Sequence, residues 1–526
     1  MQLKTVSDFK SAIDSIGFDK FWEMYINAYL SRIRPDFNLP SGNLEFDINS
    51  PIFSFDSIGE LYEIALEHND QITKKELGQY YTPKDVCCFM AKKLIYGQDQ
   101  KSNLADVCCG TGNLIIEVLN QLGAEETRKL IDKKHLFLYD LDPTAIKLAI
   151  MKIGVLFAEH GNYDSYLKIT NSINTNIGNF LSEKISLPQK CLVISNPPYG
   201  KLPPRLELWT QCSTSNTKDL YSVFMEKIAQ QAQRAVIITP QSFIGGSKFS
   251  TLRSAMAKNS GGEVYSFDNV PSPLFCGRKK GIFNTNTSNS VRAAITLIDK
   301  KERGFRLTPM LRFKSEERSE LFNGIEDLLG DNIYFNSSAW MKTPKSLEKL
   351  ITAMSASTCT VSDFIEKDIS KQDAKYKLTI PSTPRYFISA TSRDLDRSSK
   401  IILYAKNDEA FDKLYVIINS TLSYLWWRIY DGGITLGKST LLSLPVPEID
   451  NNNDLKQLVH NFIKSEDNYL VNKLNAGKNN ENVKFPPEYR KKLNYSLLKV
   501  LRLEDLSDKL YSVHSNSYLE YAPYWK

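Results

Sequence analysis

The residues best placed by type and spacing to do chemistry are Asn196-Pro197-Pro198-Tyr199-Gly200, directly after the apolar run Cys191–Ser195. Two successive prolines hold the backbone extended and remove N–H donors. The Asn196 side-chain oxygen and the Pro197 carbonyl can then point together into one pocket. Both are neutral acceptors, so they suit an NH2 group. Tyr199 supplies a flat face for a planar base. An Asn-Pro-Pro turn with no chemistry is the bland alternative. It is less favoured at the carboxyl end of an apolar strand, behind two other polar turns.

The first of those turns is Asp106-Val107-Cys108-Cys109-Gly110-Thr111-Gly112, which opens the helical stretch LIIEVLNQL. Glycines let a ligand approach the backbone, and the following helix offers free N–H groups to a carboxylate. Alone, a GxG is too short to exclude an empty turn. The second is Asp140-Leu141-Asp142-Pro143. Asp140 ends a strand and is placed to accept from ribose hydroxyls, whereas Asp142 and Pro143 read as N-cap and first residue of a helix. Upstream lies Gly78-Gln79-Tyr80-Tyr81-Thr82-Pro83. Thr82 reads as an N-cap and Pro83 as N1, with Asp85 in the first turn and Val86, Phe89, Met90 and Leu94 on one face of the helix that follows.

Residues 76–300 position these pieces. Apolar runs at Leu104–Val107, Leu136–Tyr139, Cys191–Ser195, Ala235–Thr239, Val264–Phe267 and Val291–Ile298 alternate with helical stretches such as Pro143–Glu159 and Lys218–Arg234. That alternation predicts a parallel sheet covered by helices on both faces. Residues 1–75 read as helical, 306–450 as a separate α+β region, and 451–526 as a helical extension in which the Asn- and Lys-rich 451–485 holds a linker or loop beside a helix.

The sequence has 526 residues, 42% hydrophobic and 24% charged, with a net charge of +6. This length suggests two or three domains, and the mild positive bias permits a polyanionic partner without requiring one. The eight cysteines show no zinc-like spacing, so no metal is expected. The N-terminus lacks an apolar signal core, and no run of about 18 apolar residues occurs. The expectation is a reduced, cytoplasmic protein.

In this order, ADVCCGTGN, LYDLDP and SNPPYG resemble the amino-methylating DNA methyltransferases. GQYYTP is similar to an element of type I modification subunits and related type II adenine methyltransferases, and the order of elements resembles the gamma arrangement. The resemblance covers about residues 55–300 well and 335–450 loosely.

It implies a Rossmann-like class I S-adenosylmethionine methyltransferase domain over residues 76–305 and a target-recognition domain over 306–450. It also implies a reaction at N6 of adenine in double-stranded DNA, with the base flipped out of the helix. Asn196, Pro197, Pro198 and Tyr199 would be catalytic. Tyr81, Thr82, Pro83, Asp106, Cys109, Gly110, Thr111, Gly112, Asp140, Leu141, Asn179, Phe180 and Asn196 would line the cofactor. Asn179 stands where the family usually has Asp, and an amide accepts more weakly than a carboxylate. Phe275, before the basic residues Arg278, Lys279 and Lys280, would sandwich the flipped base against Tyr199. Arg205 and Lys218, in the polar stretch 201–219, would touch DNA. A restriction endonuclease or specificity subunit is an expected partner.

Other readings are an RNA or protein-glutamine methyltransferase, a modification subunit that works only in a complex, and a catalytically dead DNA binder. The last is disfavoured because the Asn-Pro-Pro-Tyr residues are intact. Pro35-Asp36 has no ExK nearby, which argues against a built-in nuclease. The segment from Gly433 to Ser439 completes a P-loop pattern with the preceding glycine, but an aromatic stretch precedes it and prolines soon follow. It reads as coincidental.

Overall fold

The computed structural model describes residues 1–40, 43–69, 82–98, 102–275, 291–330, 339–431, 433–449, 453–475 and 478–525. The chain folds as two compact units, one of residues 1–243 and 247–305, the other of 244–246 and 306–526.

In the first unit, strands β1 (Asn103–Asp106), β2 (Leu136–Asp140), β3 (Asn174–Ile177), β4 (Cys191–Ser195), β5 (Arg234–Pro240), β6 (Gly261–Phe267) and β7 (Ala293–Asp299) form a sheet in the order β3-β2-β1-β4-β5-β7-β6. The chain leaves this unit at the start of β8 (Gly304–Leu311). The pairs from β3 through β5 are parallel, whereas β7 runs antiparallel between β5 and β6. The parallel sheet expected from the sequence is present from β3 through β5, with β7 reversed beside it. Hydropathy marked β7 as a buried strand, as its fully buried side chains show, but hydropathy carries no direction.

β3 was not foreseen. Its sequence Asn-Thr-Asn-Ile is polar, and its residues are only intermediate or exposed. It is held by backbone pairing to β2 in the register Asp140↔Ile177.

The N-terminal helices Val6–Ile16, Phe18–Ile33 and Ile58–Asn69 bury Phe9, Phe21, Trp22, Tyr25 and Leu61 in one core with Ala145, Leu148 and Met151 of the helix Pro143–Phe157. Tyr62 also donates a hydrogen bond to Asp142, whose other oxygen caps that helix by accepting from Thr144 and Ala145. Asp142 and Pro143 thus stand at the predicted N-cap and N1 positions.

The second unit contains the antiparallel pair β9 (Lys377–Pro381) and β10 (Lys400–Tyr404) and the largely buried helices Asp408–Asn419 and Thr421–Tyr430. The expected helix is present at Asn453–Ser465, but a second antiparallel pair, β11 (Leu470–Asn475) and β12 (Lys478–Val483), stands where a linker or loop was expected. Their Asn- and Lys-rich sequence has little strand preference, so pairing rather than composition makes them strands. The P-loop-like stretch is preceded by the helix Thr421–Tyr430 and followed by a helix of only five residues, Lys438–Leu442. That setting lacks the strand a phosphate loop requires. Among the described residues, no helix is long and apolar enough to cross a membrane.

Candidate active site

Three turns leave the same end of three adjacent strands. Asp106 of β1 is in register with Leu138 of β2 and Ile194 of β4. The glycine turn, the Asp140 turn and the Asn196 turn therefore emerge side by side. β2 and β3 lie to one side of β1, and β4 and β5 to the other. Such a switch point, at the carboxyl ends of parallel strands, is where open α/β sheets form their ligand crevice.

The glycine turn is built around buried charge. Gly110 and Gly112 have φ of 49° and 84°, the left-handed region that favours glycine. A Cβ on Gly112 would meet the Ala149 Cβ at 3.0 Å, so that glycine serves packing. A Cβ on Gly110 would meet nothing within 4 Å, so its face opens on space.

Asp140 accepts from the Gly110 N–H at 2.8 Å and the Asp142 N–H at 3.0 Å, which shapes the turn. Burial raises its pKa against those two bonds. Asp106 accepts from the Cys108 N–H at 3.2 Å through one oxygen, while its other oxygen is buried with no hydrogen-bond partner among the described residues. Burial, with Asp140 nearby, pushes its carboxyl up to about 8. An orphaned buried carboxylate oxygen is costly unless a ligand donor or cation completes it.

Lys152 was not singled out in the sequence, yet it braces this turn. Its buried amine donates to the Thr111 carbonyl at 3.1 Å and to Asn113 Oδ1 at 2.9 Å. Burial pulls its pKa down to about 8. The available signal was slight: Lys152 is one of two lysines in the largely apolar helical stretch Pro143–Phe157. Cys109 belongs to the same turn and donates its N–H to the Tyr139 carbonyl at 3.0 Å.

Beside Asp140, Leu141 is 63% exposed and Ile177 58% exposed. They offer apolar area at the mouth of the crevice. Phe180 is instead buried, edge-on to Tyr139 and stacked on Phe224 at 5.8 Å. Asn179 donates to the Glu207 carbonyl at 2.7 Å and accepts from the Leu181 N–H at 3.0 Å, so both ends of its amide serve the local chain. Lys227 fastens the same segment by donating to the carbonyls of Phe180, Ser182 and Ile185 at 2.6, 2.7 and 2.7 Å.

At the end of β4, the Asn196 amide nitrogen donates to Thr82 Oγ1 at 3.0 Å. This corrects the cap expected of Thr82. The helix Lys84–Ile95 begins after Pro83, which is its N-cap, and it has no side-chain cap hydrogen bond. The Thr82 hydroxyl is turned to Asn196. The expected face of this helix, Val86, Phe89, Met90 and Leu94, is buried. Tyr81 and Arg278, Lys279 and Lys280 lie outside the described residues.

Pro197 is buried, while Pro198 and Tyr199 are half-buried. The Tyr199 hydroxyl donates to the Ile238 carbonyl at 3.3 Å. The Tyr199 ring meets Phe275 edge to face, with centroids 6.1 Å apart and planes at 69°. Arg205 and Lys218 are exposed on the connecting segment. Among the described residues, no group of three His, Cys, Asp or Glu is placed to hold a metal.

A doubly wound sheet with one reversed strand, with a glycine turn beside an Asn-Pro-Pro-Tyr turn at its switch point, defines a Rossmann-like α/β fold. Residues 54–319 match the N-6 DNA Methylase family, and the chain belongs to that family.

The chain is 24% identical over 159 residues to the type I restriction enzyme MpnII methylase subunit of Mycoplasma pneumoniae, covering 30% of this chain and 27% of the relative. It is 25% identical over 213 residues to the type II methyltransferase M.VspI of a Vibrio species, covering 39% and 46%. The matches thus span less than half the length of these two relatives. Among solved structures, it is similar to the type IIG restriction endonuclease BpuSI at 12% identity and a TM-score of 0.42, covering 97% of this chain and 80% of the other.

Proposed function

We propose that this chain is a site-specific DNA methyltransferase that moves a methyl group from S-adenosylmethionine to N6 of adenine in duplex DNA, with the base extruded from the helix. The observation that carries this reading is the Asn196 amide, held by Thr82 at the rim of the crevice that contains the glycine turn.

The crevice residues fit the cofactor. The unsatisfied Asp106 oxygen suits an ammonium group, and the open face of Gly110 leaves room for its amino-acid end. Asp140 has lone pairs left for ribose hydroxyls, and Leu141 and Ile177 offer an apolar seat for adenine. When bound, the cofactor supplies an electrophilic methyl group.

The remaining work belongs to the protein. Adenine N6 is a poor nucleophile because its lone pair is delocalised into the ring. Donation from its two N–H groups to the Asn196 side-chain oxygen and the Pro197 carbonyl favours a pyramidal nitrogen with a localised pair. That geometry resembles the transition state, so the contacts contribute to rate rather than to binding alone. The nitrogen becomes acidic on methylation, and its proton passes to water without a strong base. Tyr199 stacks on the extruded base, worth about 1–3 kcal/mol. In this reading residues 306–450 read the DNA sequence, and Arg205 and Lys218 meet the backbone.

A second reading is favoured by the name of the Mycoplasma relative, a methylase subunit. It makes this chain the modification component of a larger complex, with a specificity or nuclease subunit that would copurify. Incubating the chain with labelled S-adenosylmethionine and unmethylated DNA, RNA or protein distinguishes the substrates. N6-methyladenine in digested DNA supports the proposal, whereas label confined to RNA or protein contradicts it.

A further inference from the structure

Directly after the Asn196–Gly200 turn comes Lys201, and the short turn Ser247–Phe249 brings Lys248 to the same place. One carboxylate joins them. The Lys201 amine donates to Asp219 Oδ1 at 2.7 Å, and the Lys248 amine donates to Asp219 Oδ2. The Asp219 side chain is only 9% exposed, whereas those of Lys201 and Lys248 are 77% and 49% exposed.

Asp219 is the N-cap of the helix Leu220–Gln231, where a carboxylate ordinarily accepts from an N–H of the first turn. Here it makes no side-chain cap bond, and its oxygens face the two lysines instead. Ion pairs of exposed lysines add little to stability, so stability does not account for diverting the cap.

The surroundings are tightly tied. Leu220 N–H donates to the Gly200 carbonyl and Leu202 N–H to the Lys218 carbonyl, both at 3.0 Å. Lys248 also donates to the Thr217 carbonyl at 3.3 Å, and its amine lies 4.7 Å from the Phe249 ring centroid. The result is a pair of preset amines with one spare positive charge, two residues from Tyr199.

We infer that Lys201 and Lys248, preset by Asp219, grip the DNA phosphodiester beside the nucleotide that enters the Tyr199 pocket. This rests on the DNA methyltransferase reading above. Extruding a base swings its backbone outward and brings a flanking phosphate to the mouth of the pocket, where a fixed cation pair captures it without first having to be ordered.

The test compares the full chain with K201Q, K248Q, the double variant and D219N. A fluorescent unmethylated duplex is titrated at several salt concentrations, with cofactor affinity measured in parallel. Each phosphate contact contributes about 0.9 to the slope of log affinity against log salt. Because the pair grips one phosphate with one spare positive charge, the double variant is expected to lose about 0.9 from that slope, and each single variant part of that. D219N is expected to bind DNA several-fold more weakly although it gains net positive charge, with cofactor affinity retained.

An unchanged slope in the double variant overturns the inference. So does tighter DNA binding by D219N, which bare electrostatics demands. If D219N loses cofactor binding through misfolding, the lysine variants decide alone. A wild-type chain that neither binds nor methylates DNA defeats the functional reading itself. Wild-type methylation with an unchanged slope in the double variant defeats only this inference.

Discussion

The Asn196 amide nitrogen and the Thr82 hydroxyl are joined by a 3.0 Å hydrogen bond across 114 positions of sequence. The bond orients the amide, and in the proposed reaction the side-chain oxygen faces the substrate amine. Thr82→Val keeps the shape and removes the acceptor. One hydrogen bond of this kind contributes about 1 kcal/mol, so methyl transfer under single-turnover conditions should slow by about fivefold while thermal stability changes little. An unchanged rate would remove Thr82 from a positioning role.

In the proposed site, Asp106 should make cofactor binding depend on pH. Burial holds its carboxyl at about 8, so the ligand-free protein carries it protonated at neutral pH. For folding, a carboxyl raised in this way favours the native state at low pH, and that advantage is lost as pH rises from the unfolded value towards about 8. For binding, an incoming ammonium favours the ionised form, so close to one proton should leave on complex formation near neutral pH. Calorimetry in buffers of different ionisation enthalpy reads that proton directly. Asp106→Asn should abolish the release and weaken cofactor binding. Equal proton release in the variant would contradict the assignment.

The two glycines of the turn should fail differently. Gly110→Ala places a methyl in the open crevice, with φ of 49° adding strain of about 1 kcal/mol. The expected result is loss of cofactor affinity of tenfold or more with a modest fall in melting temperature. Gly112→Ala drives a methyl against Ala149 at 3.0 Å, with φ of 84°. Its main effect should be on the melting temperature.

Tyr199 and Phe275 stand too close, and at too steep an angle, to hold a base between them, since a sandwich needs about 7 Å between parallel rings. In the proposed reaction the rings must part for base entry. Tyr199→Ala should lower kcat/KM for DNA by about 10–100-fold through lost stacking, and Tyr199→Phe by much less. A 2-aminopurine target should brighten with wild type and less with Phe275→Ala. Equal brightening would leave Phe275 as core alone.

Much of the crevice could be read from sequence because its pieces are local. Asp142-Pro143 carries its own cap, Gly110 and Gly112 mark a turn needing positive φ, and Asn196-Pro197-Pro198-Tyr199 follows a wholly buried, mostly apolar strand. What escaped depends on distant partners. Thr82 was read as a cap because a cap is a local rule, yet its hydroxyl serves a residue on β4. Phe180 and Ile177 are neighbours in sequence, and only the packing of Phe224 and Tyr139 shows which one is buried. Lys152 looked like one more helical lysine until its carbonyl partner came from the glycine turn. The direction of β7 is a property of topology and leaves no mark on a run of buried apolar residues.

The central claim is that Asn196 activates an amine rather than building the fold. The direct measurement is transfer of labelled methyl to DNA by Asn196→Ala, with cofactor affinity and melting temperature recorded on the same preparation. The account predicts that transfer falls by at least about a hundredfold while cofactor binding and stability persist. Transfer at the wild-type rate would contradict it.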